Sequence, residues 1–187
     1  MDYMFIINLN LPWNLLSTIP LVAEHYLRIY QDADNTIWFG HNKSGVSFCN
    51  DNQLQFDNFG LFDTEDITAL LIDKCSNLWV GTDGNGLFKK KVGDKNRAEK
   101  VQSVFNGSII CLDEDSTGMI YAGCYGNGLY WINGDNVNHF NTKNSPLISE
   151  MVWDVHADKT GNVWIATVNG TQYFDPKSGR FMSVVAS

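Results

Sequence analysis

The chain repeats itself about every 42 residues, and this period leaves few folds open to it. An aromatic residue recurs at spacings of 41, 42 and 43 residues, at Trp38, Trp79, Tyr121 and Trp164. A glycine recurs at spacings of 41, 42 and 42 residues, at Gly45, Gly86, Gly128 and Gly170. Because two separate markers keep one period, the repeat reflects the fold rather than the composition.

Each repeat has the pattern of four short β-strands. In the second repeat, strands are predicted over 67–73, 78–82 and 86–91, with a fourth near 100–105. Four short strands in about 42 residues are typical of a β-propeller blade. The strands 78–82 and 163–167 are apolar on both faces, which predicts sheets packed between neighbouring blades. We therefore predict an all-β protein, a β-propeller of four blade-like repeats, each a four-stranded antiparallel sheet.

The predicted blades divide most of the chain. They cover about 26–60, 61–105, 106–147 and 148–187, and residues 1–25 form an N-terminal arm or partial strand, in which 4–9 is a candidate outer strand. The sequence leaves the closure of the ring open. Four blades could close alone, two chains could share an eight-bladed ring as a homodimer, or the chain could be a shortened relative of a longer protein.

A turn motif precedes each aromatic anchor. An aspartate stands six residues before the anchor, at Asp32, Asp73, Asp115 and Asp158, where its carboxylate can accept backbone N–H groups of a tight turn. Gly118 and Gly161 can supply the positive φ that such a turn needs. The anchor also stands two residues before a glycine on the same strand face in three repeats. A large ring beside a missing side chain would let adjacent sheets interlock.

This pattern resembles the two-component regulator propeller repeat. The second repeat matches it closely, with Asn77-Leu-Trp-Val-Gly-Thr82 followed by Gly86-Leu87. The fourth repeat follows it through Asp158 and Gly161-Asn-Val-Trp-Ile165, but has Ala166 in place of glycine. The resemblance extends over about residues 27–183.

The resemblance implies a function as well as a fold. Repeats of this family build the periplasmic sensor region of hybrid two-component regulators, notably in Bacteroidetes, and such sensors typically detect oligosaccharides. A periplasmic or extracellular location is implied. The N-terminus has no positively charged region typical of a signal peptide, so a cytoplasmic location also stays open.

Charge and hydropathy exclude two classes of partner. Thirteen Lys and Arg against twenty-one Asp and Glu give a net charge of −8, which argues against nucleic-acid binding. The cluster 89–91 of three lysines is interpreted as a solvated strand end. No run of about 18 apolar residues is present, so we predict no membrane insertion.

Metal and cofactor signals are also missing from the sequence. No two histidines have ligand spacing and no CxxC motif occurs, so we predict no metal site and no cofactor. Cys111 and Cys124 are interpreted as buried thiols on neighbouring strands. No nucleophile motif such as GxSxG is present, and we predict that the protein is not an enzyme.

Candidate ligand residues come from the loops that should share one face of the propeller. Those between the second and third strands carry His41, Asn42, Asp83, Asn85, Tyr125, Asn127 and Asn169. The starts of the inner strands add Glu150 and Trp153, with Asp66 and Asn106 beside them. Amides and carboxylates can bind sugar hydroxyls, and an aromatic face can stack on a pyranose. The alternative is that these residues only build turns.

Three functional hypotheses remain. The first is a non-enzymatic sensor or binding propeller for a carbohydrate-like ligand. The second is a lyase-type propeller enzyme that acts on a small molecule, with His41 and Glu150 as the pair to test. The third is a protein-interaction or assembly module, driven by open blade edges.

Overall fold

A computed structural model describes residues 26–43, 45–50, 53–57, 66–104 and 107–184. All the regular structure of these residues is β. The strands are β1 (Tyr26–Gln31), β2 (Ile37–His41), β3 (Val46–Asn50), β4 (Gln53–Asp57), β5 (Ile67–Ile72), β6 (Asn77–Thr82), β7 (Leu87–Lys91), β8 (Glu99–Lys100), β9 (Ile109–Glu114), β10 (Ile120–Cys124), β11 (Leu129–Asn133), β12 (Asn136–Phe140), β13 (Val152–Ala157), β14 (Val163–Thr167), β15 (Gly170–Asp175) and β16 (Arg180–Ser183).

The strands form four sheets, each made of four consecutive antiparallel strands. We call them the first to fourth blades, and the first strand of each is its inner strand. The predicted all-β propeller of four four-stranded blades is therefore confirmed. The described residues contain no helix long and apolar enough to cross a membrane. The candidate outer strand at 4–9 and the candidate ligand residue Asn106 lie outside the described residues.

The turn between the first two strands of each blade is organised by its aspartate. In the second blade, Oδ1 of Asp73 accepts the backbone N–H groups of Cys75 and Asn77, at 2.9 and 2.8 Å. Gly118 and Gly161, in the corresponding turns of the third and fourth blades, have φ values of 90° and 94°. Both expectations for this turn, the accepting carboxylate and the left-handed glycine, are confirmed.

Three buried cores join consecutive blades. In the first core, Trp38 of the first blade packs with Ile67 and Val80 of the second. Trp79 takes part in the core between the second and third blades, and Tyr121 in the core between the third and fourth. Among the described residues, no such core joins the fourth blade to the first. Each of the first three anchors thus packs in the interface with the blade that follows it.

The fourth blade differs from the others in this respect. Trp38, Trp79 and Tyr121 are at most 3% exposed, whereas Trp164 is 37% exposed. Val163 and Ile165 are buried against the third blade, but Trp164 between them points the other way. The prediction that 163–167 is covered on both faces is therefore wrong, because the described residues supply no blade on its outer side. The same prediction for 78–82 is confirmed, since Leu78 to Thr82 are all buried.

The glycine after the anchor allows the blades to approach closely. A Cβ added to Gly40 would lie 2.6 Å from Cγ2 of Ile67 in the next blade. A Cβ on Gly81 would lie 2.8 Å from the carbonyl oxygen of Ile109. Contacts this short force a neighbour to shift, so the small residue is required. The expected interlocking of adjacent sheets is confirmed in these two interfaces.

Two details of the second blade differ from expectation. Its outermost strand is β8, which is only two residues long and ends at Lys100 rather than near 105. The lysine cluster is not simply a solvated strand end. Lys90 is buried, and the Nζ atom of Lys89 lies 4.8 Å from the centre of the Trp79 ring. Their aliphatic stems cover the sheet, and Lys91 alone of the three is exposed.

Candidate ligand-binding face

The loops between second and third strands lie at the same end of the propeller as the starts of the inner strands. In the second blade, the backbone N–H of Asp83 donates to the carbonyl of Asp66 at 2.9 Å. In the third, the N–H of Tyr125 donates to the carbonyl of Ser108 at 2.9 Å. These hydrogen bonds repeat from blade to blade, so the candidate residues from both sources share one face. We call it the loop face.

Backbone hydrogen bonds also join the loops of the first three blades to the blade that follows. Asn42 forms an isolated β-bridge with Asp66, and Tyr125 forms one with Met151. The carbonyl of Glu150 accepts the N–H groups of the loop residues Gly126 and Gly128, at 3.1 and 2.7 Å. The loop face is thus held by hydrogen bonds between blades as well as within them. These hydrogen bonds hold the backbone from which the side chains of the loop face extend.

Tyr125 and Trp153 form an exposed aromatic pair on the loop face. Their ring centres are 5.8 Å apart and their planes make an angle of 68°, an edge-to-face arrangement. Tyr125 is 51% exposed and Trp153 is 50% exposed. Large aromatic side chains are usually much better covered, so an adjacent exposed pair is a candidate contact surface.

A β-bulge explains why Trp153 is exposed. The pairing of β13 with β14 shifts between Val152 and Asp154, which leaves Trp153 without a partner in the ladder. The inner strand of the second blade has the same shift between Ile67 and Ala69. A bulge re-aims the side chain that it carries. The sequence pattern did not predict these bulges, because alternation alone places Trp153 on a regular strand.

Three carboxylates belong to the loops and strand starts of the loop face. Asp83 accepts a hydrogen bond from the hydroxyl of Ser108. Glu150 accepts one from the hydroxyl of Thr142 at 2.7 Å. Oδ1 of Asp66 is buried and has no hydrogen-bond partner among the described residues. Carboxylate oxygens can each accept more than one hydrogen bond, so all three retain accepting capacity.

The asparagines of the loops mainly support the loops themselves. Oδ1 of Asn85 accepts from Nζ of Lys100 at 3.1 Å. The amide of Asn127 donates to the hydroxyl of Tyr130 at 2.7 Å, and that of Asn169 donates to the carbonyl of Ile148 at 3.0 Å. These contacts agree with the turn-building interpretation for the three amide side chains.

His41 is buried at the end of β2. Its Nε2 lies 2.7 Å from Oγ of Ser47, which is also buried. Burial lowers the pKa of the imidazole. Glu150 is the other member of the pair named for the lyase hypothesis. It lies in the segment before the inner strand of the fourth blade and accepts a hydrogen bond from Thr142. Nε2 of His41 and Oε1 of Glu150 thus contact the hydroxyl groups of two different residues.

Arg28 is a charged residue of the inner strands that the sequence analysis did not single out. Its Nε donates to the carbonyl of Thr68 on the next inner strand. Burial lowers the pKa of the guanidinium, while Cys111 and Asp154 act in the opposite direction. Arg28 therefore reaches towards the inner strands of the other blades. No sequence signal could have found it, because its role depends on where four distant strands meet.

The described residues hold no group of three or more His, Cys, Asp or Glu side chains that could bind a metal ion. The loop face carries the Tyr125–Trp153 pair and the carboxylates of Asp83 and Glu150.

The repeats match a known family model. Residues 60–84 and 146–169 match the model described as two component regulator propeller. Two segments of the chain thus resemble the two-component regulator propeller repeat. The matched segments include the Asp73–Trp79 and Asp158–Trp164 pairs, so the propeller repeat is recognised through the turn and anchor described above. The resemblance inferred from the sequence is confirmed.

Solved structures share the fold of these propeller repeats. The extracellular domain of a protein described as a hybrid two-component system from B. thetaiotaomicron has a TM-score of 0.72 at 21% identity, and the match covers 90% of this chain and 22% of that one. A second such extracellular domain from B. thetaiotaomicron has a TM-score of 0.72 at 19% identity, covering 84% and 22%. This chain thus spans about a fifth of their length.

A third similar structure belongs to an enzyme. Virginiamycin B lyase from Staphylococcus aureus, in an inactive form with quinupristin, has a TM-score of 0.69 at 13% identity, with 87% of this chain and 56% of that chain covered. At these identities the likeness shows the fold alone. None of the curated proteins matches the chain.

Proposed function

We propose that the protein is a non-enzymatic ligand-sensing propeller and that its ligand is carbohydrate-like. The observation that carries the proposal is the exposed Tyr125–Trp153 pair on the loop face. Family repeats at 60–84 and 146–169 support the sensor role, because their model describes regulator propellers. Two fold neighbours are extracellular domains, which supports an extracytoplasmic, periplasmic location.

The geometry of the aromatic pair suits a sugar ring. Both rings are about half exposed, so part of their surface is accessible to a ligand. A pyranose can stack its apolar side on an aromatic ring while its hydroxyl groups point sideways. Glu150 lies three residues before Trp153, and Asp83 accepts a hydrogen bond from Ser108, whose carbonyl accepts the backbone N–H of Tyr125. Asp66 is joined to Asp83 by a backbone hydrogen bond. We expect these three carboxylates to receive those hydroxyl groups.

The lyase alternative has weaker support. It draws on a fold neighbour at 13% identity and on the pair of His41 and Glu150. His41 is buried and its Nε2 is engaged with Ser47, whereas an acid–base residue must reach the substrate. We therefore favour binding without turnover.

The test is isothermal titration calorimetry with a panel of purified oligosaccharides. We expect at least one to bind, and we expect Tyr125→Ala and Trp153→Ala each to weaken it at least about tenfold, since stacking is lost. Trp164→Ala is the matched control: it removes another exposed indole of the fourth blade, away from the loop face, and should bind normally.

Two results would overturn the proposal. One is a broad panel in which no oligosaccharide binds the wild-type protein. The other is equal binding by wild type, Tyr125→Ala and Trp153→Ala, with all three folded by circular dichroism. Product analysis of the titrated ligand addresses the lyase alternative, because conversion that is lost in His41→Ala would establish an enzyme.

A further inference from the structure

A cavity of about 160 Å³ lies between the first and second blades, and we call it the interblade cavity. Its apolar lining consists of Trp38 and Phe48 from the first blade and of Ile72 and Val92 from the second. Val92 is 37% exposed, so solvent reaches the cavity. An engineered cavity of about 150 Å³ is large enough to hold benzene. The interblade cavity therefore has room for one small ligand group.

Two carboxylates, those of Asp32 and Asp34, also line the interblade cavity. The Asp32 carboxylate accepts the backbone N–H groups of Asp34 and Thr36, at 3.0 and 2.9 Å. It also accepts the indole N–H of Trp38 at 2.8 Å. All three donors are uncharged, so they fix the carboxylate in place without compensating its charge. No lysine or arginine is among the described residues that line the cavity.

The second of these carboxylates is particular to the first blade. Asp34 stands two residues after the turn aspartate, where the other three turns have Cys75, Thr117 and Thr160. In those turns the aspartate still accepts the backbone N–H of the residue at this position. The turn therefore does not require an acid here, and the repeat motif does not explain the charge of Asp34.

The corresponding place in the second blade holds a cation that belongs to the chain. The β-sheet register pairs Trp38 with Phe48 in the first blade and Trp79 with Lys89 in the second. Nζ of Lys89 lies 4.8 Å from the centre of the Trp79 ring, which is a cation–π contact. In the first blade the ring of Phe48 stands there instead, 4.9 Å from that of Trp38. The first blade thus has the anchor ring and the turn carboxylate but no ammonium group at this position.

We propose that the interblade cavity binds a quaternary ammonium group, which supplies the positive charge that Lys89 supplies in the second blade. Aromatic rings attract such a cation, and aromatic-lined sites are its usual protein partners. Asp32 and Asp34 add the opposite charge, and the aliphatic side chains contact the methyl groups. The cavity lies at the turn end of β2, whereas the loop face lies at the other end. This site is therefore separate from the proposed carbohydrate site.

Choline and its uncharged dimethylbutanol analogue, in which carbon replaces the nitrogen, are the probes for this site. The two molecules have nearly the same shape, so their comparison isolates the effect of the charge. NMR titration of isotope-labelled protein measures weak binding and locates it through the backbone amide signals. We expect choline to bind with a dissociation constant of about 1 mM and to shift the signals of Asp34, Thr36 and Ser76, which line the cavity. The analogue should bind at least about tenfold more weakly.

Variants of the lining test the origin of the binding. Phe48→Lys copies the arrangement of Lys89, so it should supply the ammonium group from within the chain and abolish choline binding. Asp34→Asn should weaken choline binding at least about threefold, because one of two negative charges is lost. Asp34 is exposed, so its variant stays informative if Phe48→Lys fails to fold. Asp135→Asn is the control, since it removes an exposed carboxylate of the third blade and should bind as wild type does.

Several outcomes would overturn the proposal. One is a titration to about 20 mM choline that shifts none of the three lining signals. Another is equal binding of choline and its uncharged analogue, which would show a merely apolar cavity. A third is choline binding that Asp34→Asn leaves unchanged. Tyr125→Ala, on the loop face, should bind choline as wild type does. A loss of choline binding in that variant would locate the cation on the loop face and contradict the assignment to the interblade cavity.

Discussion

The indole Nε1 of Trp164 donates a hydrogen bond to Oδ2 of Asp158 at 2.7 Å. The same contact joins Trp38 to Asp32 and Trp79 to Asp73, both at 2.8 Å. In the third blade the hydroxyl of Tyr121 replaces the indole and donates to Asp115 at 3.0 Å. One aspartate thus closes a tight turn with one oxygen and fixes the interface aromatic with the other. This double role explains why both residues recur at one spacing.

We expect Asp73→Ala to lower the free energy of unfolding by about 3 kcal/mol, because the buried Trp79 N–H and the turn N–H groups lose a charged acceptor. Urea denaturation followed by fluorescence measures the change. Asp94→Ala is the control, since Asp94 accepts bonds from Asn96 in an exposed turn without an aromatic anchor. Equal losses in the two variants would contradict the role assigned to the anchor contact.

The same contacts predict acid sensitivity. Burial tends to raise the pKa of Asp73 and Asp115, but hydrogen bonds from Asn77 and Thr117, among others, outweigh it and lower both values. A carboxyl group with a lowered folded pKa contributes stability that is complete above its unfolded value, near 3.9, and is lost as the pH falls through the folded value. We expect the free energy of unfolding to fall steeply below about pH 4. Asp73→Asn should make that fall shallower.

The burial of His41 predicts a second loss of stability, at a higher pH than the first. Burial lowers its folded pKa below the unfolded value of 6.5. The unfolded chain therefore binds the proton first, and stability declines as the pH falls below about 6.5. His41→Gln should abolish this decline and leave the one below pH 4 unchanged. Urea titrations between pH 3 and pH 8 separate the two declines in stability. A His41→Gln protein that still loses stability between about pH 6.5 and pH 4 would contradict the assignment to His41.

The repeat was sufficient to predict the fold because the residues that recur, such as Trp79 and Asp73, form the anchor and the turn of a single blade. The loop face was predicted as a set for the same reason. Other features depend on what lies beside a blade. The exposure of Trp164 reflects a missing neighbour, the exposure of Trp153 reflects a bulge, and the burial of Lys90 reflects stems lying along a sheet. None of these leaves a local sequence signal.

The interlocking glycines give a paired prediction. Gly81→Ala should destabilise the protein by about 1 to 3 kcal/mol, because its Cβ would meet the backbone oxygen of Ile109 and the side chain of Ala69. Ala166→Gly, the reverse change at the same position of the fourth blade, should cost at most about 1 kcal/mol, through backbone entropy alone. Thermal denaturation of both variants checks this. A small effect of Gly81→Ala would mean that the second and third blades can move apart without a loss of stability.

The reactivity of the cysteines tests their burial. Cys49, Cys111 and Cys124 are buried free thiols, as predicted for the last two, and only Cys75 is exposed. Burial raises the pKa of Cys111 well above its usual range and that of Cys124 to about 12, so both stay protonated and unreactive. We expect the native protein to react with one equivalent of a thiol reagent at pH 8, and the denatured protein with four. Cys75→Ser should remove the native reaction entirely. A second fast equivalent at Cys111 or Cys124, located by mass spectrometry, would show that the interface between blades that contains this cysteine opens on the timescale of labelling.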